Sequence, residues 1–179
     1  LGFVDGGAAA ERATAAASAP SGAPLIWADP WQRVSAGGHQ YAEVTDHPGA
    51  ELAWRVAITT TDAADALAAT LSSEEVAGLL AAEALRVAAW RPRWSAEVDE
   101  RSLPHESDWI RTAVHLNKGC YRGQETVAKV HNLGHPPRRL AALHLDGSEA
   151  VLPAVGDAVF AGDDEVGHIT SAVSYRHLT

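Results

Sequence analysis

The sequence predicts an α+β fold on three observations. Apolar residues recur at helical spacing in the middle of the chain, short alternating stretches with turn signals flank them, and beyond Pro136-Pro137 the pattern changes to brief strands divided by Gly-Asp and Asp-Gly turns. The last pattern is that of a small antiparallel β-barrel. It predicts strands over 139–145, 158–160 and 166–173, with turns at Asp146-Gly147, Gly156-Asp157 and Gly162-Asp163-Asp164.

Residues 1–24 are dominated by Ala, Gly, Ser and Pro and read as a linker or a weakly docked helix over 9–17, because no large apolar side chain anchors them. Leu25-Ile26-Trp27 predicts a short strand ended by Asp29-Pro30, and Tyr41-Ala42-Glu43-Val44 alternates as another between turns at Gly37-Gly38 and His47-Pro48-Gly49. Residues 52–59 form the best strand of the first third, with Trp54, Val56 and Ile58 on one face. Thr61 or Asp62 caps a helix to about Leu71, and Ser72-Ser73-Glu74-Glu75 is a capping box opening a second helix to about Leu85. Val87 to Trp90 reads as a strand broken by Arg91-Pro92-Arg93, and 95–108 as a polar loop. A final helix spans 124–132, with Val127 and Val130 inward and Asn132 or Gly134 as its C-cap.

The 179 residues are 46% hydrophobic and carry a net charge of −9, which disfavours non-specific binding to nucleic acid or to an anionic membrane. Between Trp109 and Leu140 the balance reverses: Arg111, Lys118, Arg122, Lys129, Arg138 and Arg139 face Glu125 alone. This stretch is either a face that attracts a small polyanion or a basic surface paired with the acidic residues Glu97, Asp99, Glu100, Glu106 and Asp108. Trp90, Arg91, Arg93 and Trp94 alternate cation and aromatic ring, a pattern suited to stacking on a flat heterocycle or to a strand end with one wet face. One cysteine excludes an internal disulfide and fits a reducing compartment, with the cytoplasm as the expected location. No apolar run reaches the roughly 18 residues of a membrane span. The chain has no Met and ends in a strand-like run, so it reads as a fragment.

The single cysteine sits in Asn117-Lys118-Gly119-Cys120-Tyr121-Arg122-Gly123-Gln124-Glu125. Lys118 and Arg122, two residues either side, favour an anion at this place, as does the start of the following helix. Cys120 is therefore the candidate reactive thiol; the alternative is a small buried hydrophobe. His115, His131 and His135 share the region, but their spacings to Cys120 match no closed metal site, so no metal is predicted.

Lys118 to Glu125 resembles the K-G-C-Y-x-G-Q-E signature of the YgfZ-type folate-binding proteins, relatives of the glycine-cleavage T-protein. Further similarity lies in the blocks from Leu85 to Arg93, Leu103 to Glu106, His131 to Gly134 and Val166 to Ser171. The resemblance implies a tetrahydrofolate-type ligand, a role in iron-sulfur cluster assembly or repair with iron-sulfur proteins or assembly factors as partners, and Cys120 as the working thiol. Lys118, Gly119, Tyr121, Arg122, Gly123, Gln124 and Glu125 would then form the signature loop, and Trp90, Arg91, Arg93, Arg138 and Arg139 a folate or anion site. It also implies a division into a leading segment 1–24, the later part of a T-protein-like folate-binding region over 25–136, and the beginning of a C-terminal β-barrel over 137–179. T-proteins carry a folate-engaging Glu where Ala88 stands here, and their counterpart of the signature lacks the Cys, which argues against aminomethyl transfer. That transferase activity and a non-catalytic adaptor role are the alternatives.

Overall fold

The computed structural model describes residues 1–147 and 151–174, and the fold is α+β. The strand-like C-terminal run around His177 and Leu178 lies outside the described residues. In chain order the regular elements are β1 (Gly2–Val4), α1 (Gly7–Ala15), β2 (Ile26–Ala28), β3 (Trp54–Ala57), α2 (Thr61–Ala68), α3 (Leu79–Ala88), α4 (Trp94–Glu97), α5 (Gln124–Leu133), β4 (Ala158–Ala161) and β5 (Asp164–His168), with three short 3-10 turns between them. No helix among the described residues is long and apolar enough to cross a membrane.

β3 is the centre of a three-stranded antiparallel sheet in the order β1-β3-β2, with Val4 opposite Trp54 and Ala28 opposite Arg55. The segment expected to be a linker or a weakly docked helix thus supplies an edge strand as well as the helix α1. The Leu1 amino group donates to the Ala57 carbonyl at 3.0 Å, and α1 buries Ala10 and Ala13, side chains small enough to dock closely without a large anchor. α2 begins one residue earlier than expected, with the Thr60 hydroxyl accepting from Ala63 N.

The Ser72 capping box forms only in part. Glu75 reaches back to Ser72 N at 2.9 Å and also pairs with Arg12, but turns follow and α3 starts after Gly78. The expected strand over 87–90 is instead the end of this helix. Trp90 N donates to Val87 O and Arg91 N to Arg86 O, the paired bonds of a Schellman closure, with Trp90 at φ 53 in the left-handed place usually held by glycine. The alternating run 41–44 is irregular: Val44 N bonds back to Ala42 O in a tight turn, and the Gln40 amide donates to the carbonyls of Ala42 and Val44.

The core centres on Trp31, fully buried in a 3-10 turn capped by Asp29. Its indole N–H donates to Ala89 O at 2.9 Å, its carbonyl accepts from the Arg111 guanidinium at 3.1 and 3.3 Å, and Arg91 and Arg111 lie 5.1 and 5.4 Å from its ring centre. Trp31 thereby ties together residues 58 and 80 positions away and packs edge-on against His47.

β4 and β5 form the expected hairpin, though β5 ends at His168 rather than running to residue 173, with a bulge between Val159 and Phe160 and Gly162 at φ 68 in its turn. Residues 139–145 are not a strand. Leu140 N bonds to Glu106 O, so the segment runs along the folded body. Among the described residues the strands close no barrel.

Candidate functional site

Two cavities lie on either side of a cluster of histidines and one tyrosine. The first, about 260 Å³, is walled by the 41–47 loop, the end of α3, the 105–108 turn and the 139–142 segment. Ser171 closes one side, accepting from Arg86 at 2.7 Å and donating to Glu97 at 2.5 Å. The second, about 380 Å³, lies between Gly37-Gly38-His39 and α5, with Tyr121 and Gln124 in its wall. Gly38 is required there, since a Cβ would lie 2.5 Å from the Arg111 carbonyl oxygen.

The Tyr41 hydroxyl, in the wall of the first cavity, bonds at 2.6 Å to Nδ1 of His131, in the wall of the second. His39 and His105 pack edge-on against Tyr41, with ring centres 4.7 and 5.0 Å away. Burial and the nearby Asp108 carboxylate push the Tyr41 hydroxyl above its ordinary pKa and keep it protonated.

The signature loop occupies the turn before α5. Gly123 stands at φ 85 as the N-cap, a backbone that favours glycine, whereas Gly119 faces open space. Lys118 Nζ lies 5.1 Å from the Tyr121 ring centre, Arg122 is exposed, and Glu125 falls in the first turn of α5, where a carboxylate favours the helix dipole. Cys120 is exposed and lines neither cavity. It is therefore not the buried hydrophobe of the alternative reading.

The five residues expected to hold folate or another anion are divided. Trp90, Arg91 and Arg139 line the first cavity, whereas Arg93 and Arg138 do not. Each arginine meets a carboxylate: Arg91 with Asp29 at 2.8 Å, Arg93 with Glu83 at 2.6 Å, Arg139 with Glu43 at 2.6 Å, and Arg138 with Glu106 at 2.9 Å and Asp99 at 3.6 Å. Within the basic stretch, Arg138 meets Glu106 and Asp99 as the paired-surface reading expects and Arg139 meets Glu43, whereas no ion pair to Lys118, Arg122 or Lys129 is seen among the described residues. Among the described residues, no group of three or more His, Cys, Asp or Glu gathers as a metal site.

Sequence reasoning missed the buried polar residues of the first cavity. His47, His105 and Asp108 are each more than nine-tenths buried. In the sequence His47 is only part of a turn and Asp108 only one acidic residue of a polar loop; the signal available is the polar run His105-Glu106-Ser107-Asp108 between Pro104 and the apolar Trp109-Ile110. Desolvation, helped by Arg111, lowers the His47 pKa from 6.5 to about 4. Burial raises that of Asp108 and lowers that of His105.

The His47 shift sets a sign for acid stability. Its folded-state pKa lies below the unfolded value, so the unfolded chain binds this proton more tightly, and the contribution is fully present above pH 6.5 and lost as the pH falls toward 4. The loss reaches about 3 kcal/mol at its limit. Asp108 acts in the opposite sense, since its raised pKa lets the folded state take up a proton more readily as the pH falls. Urea midpoints at pH 7, 5.5 and 4 should therefore fall less steeply for His47→Gln than for the unsubstituted chain; equal slopes would assign the effect to other groups.

No family model matches the chain, and no solved structure matches it significantly. Over 98 residues, 52% of its length, the chain is 32% identical to a chloroplastic protein of Arabidopsis thaliana named as a "putative transferase". The match spans 21% of that protein, about a fifth of its length.

Proposed function

We propose that the chain belongs to a YgfZ-like, folate-associated accessory protein of the cytoplasm that serves iron-sulfur cluster assembly or repair, with Cys120 as its working thiol. The observation that carries this reading is the exposure of Cys120 in the signature turn, four residues before α5, with a cation two residues away on each side. A sulfur so placed can meet a partner protein and bind iron or sulfur as cargo. The turn supports it from beneath: Gly123 supplies the left-handed step, Tyr121 O accepts from Gln124 N at 3.2 Å, and Val127 and Val130 anchor the helix.

A folate-type ligand suits the first cavity in two respects. Trp90 gives an aromatic wall, and Arg139, exposed and paired among the described residues with the exposed Glu43, can exchange that partner for a ligand carboxylate at small cost. Arg91, held by Asp29 and Pro92 O, is less available. A second reading, a tetrahydrofolate-dependent aminomethyltransferase, draws on the transferase name of the Arabidopsis relative and is weakened by Ala88 at the place of the T-protein Glu.

Titration of the full-length protein with tetrahydrofolate, followed by tryptophan fluorescence, tests both together with an assay for methylenetetrahydrofolate formation from an aminomethyl donor. The first reading expects saturable quenching that is weakened by Trp90→Ala, without turnover. Turnover would establish the transferase reading, and the absence of any binding would remove folate from the account.

A further inference from the structure

Four buried side-chain polar atoms among the described residues have no hydrogen-bond partner: Arg12 Nε, His47 Nε2, His105 Nδ1 and Asp108 Oδ2. The residues bearing the last three all line the first cavity. A buried polar atom left unmade costs about 1–3 kcal/mol, so three around one space mark a place where something else completes the bonds. The same wall carries a second anomaly. Trp90 at φ 53 and Asp108 at φ 55 are the non-glycine residues at positive φ among those described, and both line this cavity. Such backbone is unfavourable for residues with a Cβ and collects at ligand sites.

The protonation pattern follows from partners already made. Gly49 N donates to His47 Nδ1 at 3.0 Å, so the neutral ring carries its proton on Nε2. His105 Nε2 faces the Val127 carbonyl at 3.2 Å and must donate to it, which leaves Nδ1 as an acceptor. Asp108 Oδ1 accepts from Tyr41 N at 2.5 Å, leaving Oδ2 as an acceptor. His47 Nε2–H and Asp108 Oδ2 are thus a donor and an acceptor 3.8 Å apart, beyond bonding distance. The imidazole stands edge-on between Trp31 and Trp90, with ring centres 5.6 and 5.7 Å away, and these contacts hold it in place.

We infer that the His47–Asp108 pair in this cavity takes the uncharged carboxamide- or urea-type edge of a small molecule, its carbonyl accepting from His47 Nε2 and its N–H donating to Asp108 Oδ2. An anionic group is disfavoured at this point because Asp108 faces it, and the lining cations Arg86 and Arg91 are held by the buried carboxylates of Glu97 and Asp29. The space is sufficient: cavities of about 150 Å³ accept a benzene ring. This inference does not depend on folate binding or on Cys120, and its test uses neither.

Benzamide and benzoate, nearly equal in shape and opposite in pattern, are the probes, with binding to the full chain followed by NMR. Benzamide is expected to bind and to shift the His47 Nε2–H resonance, with benzoate at least about tenfold weaker, the scale of one mismatched buried hydrogen bond. In Asp108→Asn the amide oxygen retains the Tyr41 bond and the NH2 replaces Oδ2, so the site becomes donor-donor and the preference should reverse toward benzoate. An absence of benzamide binding, an unmoved His47 signal, or an unchanged preference in folded Asp108→Asn would each overturn the proposal. Should that variant fail to fold, the His47 resonance of the unsubstituted chain still decides, and the tetrahydrofolate titration stands or falls separately.

Discussion

Trp31→Ala should lower the stability of the chain by about 3–5 kcal/mol, the usual range for removing a fully buried tryptophan. Set against total stabilities of about 5–15 kcal/mol, that is enough to leave much of the protein unfolded at moderate urea. The indole fills the centre of the core, and its loss also leaves the Ala89 carbonyl without its donor and takes the ring from between Arg91 and Arg111. Trp31→Phe separates these effects. It keeps most of the volume and removes the N–H, so its cost should fall to about 1–3 kcal/mol, mainly from the unsatisfied buried carbonyl. Urea midpoints followed by far-ultraviolet circular dichroism check both values. A Trp31→Ala protein as stable as the unsubstituted chain would show that the core does not depend on this ring.

Cys120→Ser should have the opposite profile. The side chain is exposed and lines neither cavity, so the melting temperature should stay within about 1 °C, in keeping with the near-neutral effect of most surface substitutions. Yet the proposed function requires that the full-length variant fail to sustain iron-sulfur enzymes in cells lacking the natural copy, because a hydroxyl has neither the acidity nor the soft donor character of a thiol. Aconitase activity in extracts reads the outcome. Equal activity of the Ser and Cys forms would remove the thiol from the mechanism.

Local signals foretold several parts of the molecule. β3, α5 with its Gly134 cap, the β4–β5 hairpin and the turn that displays Cys120 all lie where short-range patterning puts them, because neighbours in sequence supply their caps and turns. Other parts depend on residues far apart. Val87 and Trp90 have the composition of a strand, yet α3 continues to Ala88 and closes through Trp90 in a conformation that sequence rules reserve for glycine. Glu106 and Asp108 read as part of a polar loop and as partners of a basic surface; Arg138 does pair with Glu106, but Asp108 is buried against His47 and Tyr41 N, more than 60 residues away. Propensity also missed the edge strand β1, whose Gly-Phe-Val is too short to register until β3 pairs with it.

The most direct measurement alkylates Cys120 in the native full-length protein with substoichiometric iodoacetamide and follows its capacity to restore an iron-sulfur enzyme. With one cysteine in these 179 residues and that cysteine exposed, labelling there should proceed without unfolding, and the lost capacity should match the labelled fraction at Cys120. A protein fully labelled at Cys120 that restores the enzyme as well as the untreated one would contradict the account.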